Sequence, residues 1–114
     1  MKYISKNDSL KGTNTPNCQV DEYSFGDNDI DVGVVHLTGR YPKEGYCLNE
    51  ICKEVIYILE GTGKICFEDE EVYFSKDDAI LIEPNTKYYW EVKDCVATMT
   101  CTPAFSLKQY KLIK

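Results

Sequence analysis

Apolar and polar residues alternate in short segments along most of the chain. Such alternation places every second side chain on one face, and with many β-branched and aromatic residues it is typical of β-strands. The pattern predicts eight strands, namely Gln19–Phe25, Asp31–Arg40, Glu54–Leu59, Lys64–Glu68, Val72–Ser75, Ala79–Ile82, Lys87–Val92 and Val96–Thr102. Many short strands separated by turns favour an all-β sandwich or barrel.

Residues between and after these segments predict the turns and the end of the chain. Glu60–Gly63 contains two glycines, which adopt positive φ readily, so we expect a turn there. The acidic run Glu68–Glu71 lies between two strand patterns and is predicted to be a solvated hairpin tip. Beyond Pro103, the mixed spacing of Ser106–Ile113 predicts a short C-terminal helix.

The length of the chain limits it to one compact unit. A chain of 114 residues supports a single domain with one hydrophobic core. Residues 1–17 are polar, contain Gly12 and Pro16 and show no period, so they are predicted to form an N-terminal arm or edge segment. Residues 18–114 form the predicted barrel domain.

Charge and composition exclude several classes of partner. The net charge of −6 and pI of about 4.7 argue against nucleic acid and anionic membrane surfaces as partners. No apolar run approaches the roughly 18 residues that span a bilayer, and Met1–Leu10 lacks the apolar region of a signal peptide. We therefore interpret the six cysteines as reduced thiols and expect a cytoplasmic protein.

One motif connects the strand pattern to a known family. The Glu-x6-Gly spacing from Glu54 to Gly61, the strand order and the segment Asp77–Tyr88 together resemble the cupin family, over roughly Gly33–Thr102. Cupins carry the motifs G-x5-H-x-H-x3,4-E-x6-G and G-x5-P-x-G-x2-H-x3-N. The resemblance implies an all-β fold of the cupin or jelly-roll type, which is a double-stranded β-helix.

The histidines of the cupin motifs are replaced in this sequence. In the first motif their places fall on Leu48 and Glu50, or on Cys47 and Asn49, depending on the length of the gap before Glu54. In the second motif two alignments are open. Counting from Asp77 places Tyr88 at the histidine, whereas counting from Pro84 places Tyr89 there.

We prefer the alignment to Tyr88, because the Asp77-Asp78 pair matches the usual Gly-Asp turn of the motif. With strand alternation, Tyr88 and Trp90 then share one face, and an aromatic pair that points into a barrel can hold a ligand. Tyr89 would point away.

The resemblance also implies a mononuclear metal site of three imidazoles and one carboxylate, of which only Glu54 is present. Transition metals need several neutral imidazole or anionic ligands, and a tyrosine phenol stays protonated to about pH 10. The single histidine, His36, lies outside both motifs. We therefore expect no resident cofactor. The alternative is a divalent metal held by Glu54, Glu50, Cys47 and Tyr88.

Two further strands contribute candidate pocket residues. A regular strand over Asp31–Arg40 places His36 and Arg40 on one face. Arg40 either faces inward, where it would pair with Glu54 or hold an anionic ligand, or lies on the surface. In the last strand, Met99 and Cys101 share a face and are predicted to line the barrel mouth or the core.

The sequence thus predicts a small-molecule-binding protein with a metal-free barrel pocket. The candidate ligand contacts are Arg40, Asn49, Glu50, Glu54, Tyr88 and Trp90. One alternative is a metal-independent isomerase or epimerase of the sugar type, with Glu54 as general base and Tyr88 as proton donor. Another is a metal-dependent oxygenase or isomerase, and a third is a purely structural network that joins Glu54, Glu50 and Tyr88.

Whether the protein is an enzyme stays open at this point. Because cupins commonly pair, the resemblance also implies a homodimer, and the polar N-terminal segment is a candidate for strand exchange.

Overall fold

Nine strands make up most of the protein, whose structure is a computed structural model that describes residues 1–114. They are β1 (Leu10–Thr15), β2 (Cys18–Tyr23), β3 (Asp31–Tyr41), β4 (Tyr46–Asn49), β5 (Lys53–Phe67), β6 (Glu71–Phe74), β7 (Ala79–Ile82), β8 (Tyr88–Thr102) and β9 (Tyr110–Ile113). Two single 3-10 turns, Lys6–Asp8 and Leu107–Gln109, are the only helical elements. The predicted all-β class is confirmed.

All strand pairings are antiparallel and join the strands into one curled sheet. The order along the sheet is β1-β2-β3-β8-β4-β9, while β5 pairs with β6, β7 and β8. Strand β8 is central, because it pairs along its length with both β3 and β5. The inner faces of these three long strands therefore enclose the interior of the barrel.

The core fills this interior with β-branched, aliphatic and aromatic side chains. Its members include Val35, Leu37, Ile56, Ile58, Ile65, Trp90, Val92 and Ala97. In β8 both Val92 and Cys95 face inward, although they are three positions apart and would lie on opposite faces of a regular strand. A register shift makes this possible, since Leu37 pairs with Cys95 and Gly39 with Val92.

The turn predicted at Glu60–Gly63 is wrong. Strand β5 runs through this segment and keeps its pairing to β8, with register shifts on either side of Gly61. Gly61 adopts a φ of 91°, and a Cβ atom there would collide with the carbonyl oxygen of Asp94. The glycine thus permits a bulge in a continuous strand, where the local sequence suggested a chain reversal.

The short helix predicted over Ser106–Ile113 is also wrong. After the 3-10 turn, Tyr110–Ile113 forms β9 and pairs with β4, which the sequence pattern had missed. The side chain of Gln109 supports this path, because its Oε1 accepts hydrogen bonds from the backbone N–H groups of Ile51 at 3.1 Å and Cys52 at 3.2 Å. The pairing of β9 with β4 thus outweighs the weak local preference of this segment for a helix.

The N-terminal segment contributes a strand at one edge of the sheet. Strand β1 lies within residues 1–17 and forms a hairpin with β2, where Leu10 pairs with Glu22 and Thr13 with Gln19. At its end, Asn17 Nδ2 donates to the carbonyl oxygens of Thr38 and Arg40. The hairpin is therefore tied to β3.

The hairpin tip predicted for the acidic run is confirmed. The acidic tip lies between β5 and β6, where Phe67 N donates to Glu70 O at 2.8 Å. All six cysteines are free thiols and all are buried. The two 3-10 turns are far too short to cross a bilayer, and no other helix is present that could do so.

Candidate functional site

Two adjoining cavities, both partly open to solvent, lie against strands β2, β3 and β8. The first has a volume of about 80 Å³, and its aromatic wall is formed by Tyr41, Tyr88, Trp90 and Tyr110. The second has a volume of about 100 Å³ and is more polar, with Ser24, Asp31 and Cys101 in its lining. Four residues line both cavities, namely Val20, Glu22, Met99 and Phe105. The two cavities therefore meet at these side chains.

A buried carboxyl group contacts side chains that line these cavities but lines neither cavity itself. Glu54 is only 3 % exposed, because strand alternation directs it inward with Ile56 and Ile58. Its Oε1 accepts a hydrogen bond from the Tyr88 hydroxyl at 3.0 Å, and its Oε2 accepts one from the Cys101 thiol at 3.5 Å. Both partners come from β8.

Burial determines the protonation chemistry of this group. Desolvation raises the pKa of Glu54, and the hydrogen bonds from Tyr88 and Cys101 oppose that shift only in part. The pKa of Tyr88 is also raised, chiefly by burial. The pKa of Cys101 is raised by its hydrogen bond with Cys52 and then by burial. The environment thus favours a neutral carboxylic acid beside a neutral phenol and thiol.

Glu54 connects to both cavities through its partners. The Tyr88 side chain lines the first cavity and Cys101 lines the second, whereas Glu54 itself lines neither. A ligand in either cavity would therefore meet Tyr88 or Cys101 before it meets the carboxyl group.

A second pair of phenols completes the aromatic wall. The hydroxyl groups of Tyr41 and Tyr110 lie 2.7 Å apart and share a hydrogen bond. Burial raises the pKa of Tyr41 to about 12 and also raises the pKa of Tyr110. Nearby, Cys47 is 1 % exposed, donates to the carbonyl oxygen of Tyr88 at 3.4 Å, and has a pKa raised by burial to about 12.

Sequence reasoning did not find Tyr41 or Tyr110. The alternation that directs Val35 and Leu37 inward does reach Tyr41 at the end of β3, so that signal was available. Tyr110 carried no such signal, because its segment was predicted as a helix.

The structure separates Arg40 from Glu54, and the expectation that Arg40 points into the pocket is wrong. The guanidinium lies 3.8 Å from the centre of the Tyr89 ring and donates to the carbonyl oxygens of Pro42 at 3.1 Å and Gly45 at 3.0 Å. Arg40 adjoins the inward-facing Tyr41, so alternation places it on the opposite face. His36, on the same outer face, is exposed near Asp21.

Asn49 and Glu50 lie apart from the carboxyl group of Glu54. Asn49 is buried, but its Oδ1 accepts from Gln109 Nε2 at 2.9 Å and its backbone oxygen accepts from Asn85 at 2.7 Å. Glu50 is exposed and forms an ion pair with Lys111 at 3.8 Å. Asn49 and Glu50 therefore contact β9 and the turn that precedes it. Glu50 takes no part in the predicted network with Tyr88.

The aromatic residues of β8 take the orientation that the alignment to Tyr88 predicts. Tyr88 and Trp90 are 3 % and 2 % exposed and line the first cavity. Tyr89 packs outside against Arg40 and Tyr46. Met99 and Cys101 share the inner face of β8 and reach the cavities, as expected.

The residues of this site do not fit a cupin metal centre. The donors at the cupin motif positions that face inward are the carboxyl group of Glu54, the phenol of Tyr88 and the thiol of Cys47, whose pKa values are all raised, so each would have to lose a proton to bind a metal ion. No three side chains among His, Cys, Asp and Glu converge on one point. The side chains of Glu50 and Asn49 are engaged elsewhere.

No protein-family model and no curated protein matches the sequence. Solved structures do match. A variant of Pac13 from Streptomyces, solved with uridine, has a TM-score of 0.87 and 20% identity, covering 100% of this chain and 92% of that chain. A cupin-2 domain protein from Shewanella frigidimarina has a TM-score of 0.58 and 20% identity, covering 64% of this chain and 70% of that chain. The fold is a cupin fold.

Another solved structure matches over the whole length of this chain. Ectoine synthase from P. lautus has a TM-score of 0.74 and 11% identity, covering 100% of this chain and 91% of that chain. Pac13 is a nucleoside dehydratase. Since cupin folds of such different function resemble this chain, the cupin fold alone does not determine its chemistry.

Proposed function

We propose that this protein binds a small molecule that carries a ring, inside the barrel and without a metal ion. The observation that carries the proposal is the wall of Tyr41, Tyr88, Trp90 and Tyr110 around the first cavity. Concave sites lined by aromatic side chains, with a few polar groups among them, are typical ligand sites. Here the polar groups are phenol hydroxyls, thiols, the amide of Asn14 and the carboxylate of Glu22.

The size of the cavities limits the ligand. Their volumes of about 80 and 100 Å³ are small beside the roughly 300–1,000 Å³ of pockets for drug-sized ligands. Nucleosides are the first class to test, because Pac13 is similar over the whole chain and was solved with uridine. A pyrimidine ring can stack on tyrosine or tryptophan, which typically contributes about 1–3 kcal/mol per base.

Isothermal titration calorimetry with uridine, uracil and ribose tests the proposal. We expect uridine to bind more tightly than either fragment and Tyr110→Phe to weaken its binding, since the variant loses a hydroxyl group in the wall. Tyr73→Phe is the matched control, because Tyr73 is 74 % exposed and lines neither cavity. If no ring-bearing compound binds, or if both variants bind equally to the wild type, the assignment of the cavity is wrong.

Metal content tests the second half of the proposal. We expect inductively coupled plasma mass spectrometry to find far less than one transition-metal ion per chain in untagged protein purified without chelator. Near-stoichiometric iron, manganese, nickel or zinc that depends on Glu54 would favour the metal-dependent alternative.

Metal-independent acid–base catalysis is a second candidate function. It is favoured by the raised pKa of Glu54 and by its hydrogen bonds to Tyr88 and Cys101, which reach the two cavities. A carboxyl group with a raised pKa can give and take protons at higher pH than an ordinary one. Because Glu54 lines neither cavity, Tyr88 or Cys101 would carry its proton to or from the ligand.

This candidate is tested by incubating bound ligands in D₂O and following them by mass spectrometry for deuterium uptake or for loss of one water. Catalysis by this group predicts that Glu54→Gln abolishes the change while ligand affinity is kept. Unchanged ligands with the wild-type protein would leave binding as the function.

We also propose a homodimer in a reducing cytoplasmic environment. Four exposed apolar side chains on adjacent strands β5 and β7 support pairing, namely Val55, Tyr57, Leu59 and Leu81, while the free thiols support the reducing compartment. Light scattering after size-exclusion chromatography tests the dimer, and a monomer mass at micromolar concentration would contradict it.

A further inference from the structure

The ionisable groups in the two cavities have an unusual balance of charge. No lysine, arginine or histidine lines either cavity. The acidic residues in their lining are Glu22, which borders both, and Asp31, which borders the second. The remaining titratable groups are phenols and thiols, which are neutral in their protonated forms. The cavities therefore offer negative charge and no compensating positive charge.

Glu22 is exposed and borders both cavities, at the place where they meet, because of its position in β2. Alternation directs Cys18, Val20 and Glu22 to one face, and Cys18 and Val20 line the first cavity. Opposite Glu22 in the neighbouring strand is Gly33, which has no side chain to cover the carboxylate. None of the eight ion pairs of the molecule includes Glu22.

Asp31 lies at the far side of the second cavity. Its Oδ2 accepts a hydrogen bond from the backbone N–H of Phe105 at 3.0 Å. Burial raises the pKa of Asp31, and that hydrogen bond opposes the shift.

Two basic residues, one on β1 and one on β3, contact the opposite face of β2. Lys11 forms an ion pair with Asp21 at 3.2 Å, and His36 lies 3.9 Å from the same carboxylate. Asp21 adjoins Glu22, so its side chain points away from the cavities. Neither basic side chain therefore pairs with Glu22.

We propose that the cavity selects against anions and that Glu22 is the residue that determines this selectivity. The ligand is then a neutral or cationic molecule with hydroxyl or amino donors, such as a nucleoside, and not its phosphate ester. The inference rests on the proposed binding of a ring-bearing molecule. It follows because an anion that enters past the exposed carboxylate would be repelled by it and would find no cation in either cavity to pair with.

Calorimetry with three related ligands, which are neutral, cationic and anionic, tests the proposal. The ligands are uridine, 5′-amino-5′-deoxyuridine and uridine 5′-monophosphate. For the wild-type protein we expect the phosphate to bind at least about tenfold more weakly than uridine, and the amine at least as tightly. Added salt should reduce the discrimination, because it screens charges at a partly exposed site.

Glu22→Gln separates selectivity from binding. We expect this variant to bind uridine within a few-fold of the wild type and to lose most of the discrimination against the phosphate. The matched control is Glu60→Gln, which removes the same charge from an exposed position of β5 that lines neither cavity. Its discrimination should equal that of the wild type.

Several outcomes would overturn the proposed selectivity against anions. Equal binding of the phosphate and uridine to the wild type, or unchanged discrimination in Glu22→Gln, overturns the selectivity while leaving the proposed binding function intact. If uridine does not bind, the same comparison is made with benzyl alcohol, benzylamine and benzoate, which are smaller. Benzoate that binds as well as benzyl alcohol would then overturn the selectivity. Failure of all ring-bearing compounds would overturn both proposals.

Discussion

Tyr88 and Tyr89 are consecutive residues of β8 and lie in opposite environments. The Tyr88 hydroxyl is buried and donates to Glu54 at 3.0 Å. The Tyr89 ring lies on the outside, with the Arg40 guanidinium 3.8 Å from its centre and the Tyr46 ring at 5.7 Å. Two side chains of the same type thus contact a buried acid on one face of the strand and a half-buried cation on the other.

The difference follows from what each environment allows. A guanidinium cannot lose its proton in a protein, so burial without a partner would be very costly. A carboxyl group can become neutral and remain buried, provided that its oxygens receive hydrogen bonds. The inner face therefore holds groups that can be neutral, while the outer face holds the permanent charge.

The largest expected effect comes from truncating the inner face. Trp90→Ala should destabilise the protein by about 3–5 kcal/mol, because Trp90 is 2 % exposed and packs edge-on against Phe74 at 5.8 Å. Tyr89→Ala, one position away, should cost clearly less. Urea denaturation measures the free energy of unfolding of both variants. Equal losses would mean that the two faces of β8 contribute equally to stability.

Removal of the buried carboxyl group should have the next largest effect. Glu54→Ala leaves the Tyr88 hydroxyl and the Cys101 thiol without an acceptor, which costs about 1–3 kcal/mol in addition to the lost packing. Glu54→Gln keeps one acceptor oxygen and should lose less. If thermal unfolding shows the amide variant to be as unstable as the alanine variant, the hydrogen bonds do not stabilise the fold as described.

The protonation of Glu54 makes a smaller, pH-dependent contribution. Its pKa is raised above the ordinary 4.5, so the folded state keeps a proton that the unfolded chain releases. The free energy of unfolding should therefore fall as pH rises from about 4.5 through the folded-state pKa. Glu54→Gln should lack this component, whereas Glu70→Gln at the exposed hairpin tip should retain it. Parallel pH profiles for wild type and Glu54→Gln would contradict the assignment.

The smallest effect is expected on the outer face. Arg40→Lys keeps the positive charge but loses the planar stacking on Tyr89 and the two fixed donors to Pro42 and Gly45. We expect a slight loss of thermal stability and unchanged affinity for any ligand of the cavities. A marked fall in ligand affinity would show that the outer cluster communicates with the interior.

The part of the site that lies in the cupin-like motifs could be predicted from the sequence. Glu54 and Tyr88 were found by their spacing, and both orientations follow from alternation within regular strands. Arg40 was misplaced because alternation identifies two faces of a strand but not which face is inward. Glu22 was missed since the role proposed for it depends on the absence of any cation from cavities that several distant strands enclose.

The amino-acid sequence by itself determined the β-strand pattern, the acidic hairpin tip and the pairing of an acid with a tyrosine. These features depend on local periodicity, on residue type and on short motifs. Only the tertiary structure decided that β5 passes through Gly61 without turning and that the C-terminal segment becomes β9. In both places a neighbouring strand, β8 or β4, supplies hydrogen bonds that no local pattern contains, and these long-range bonds determine which side chains enclose the cavities.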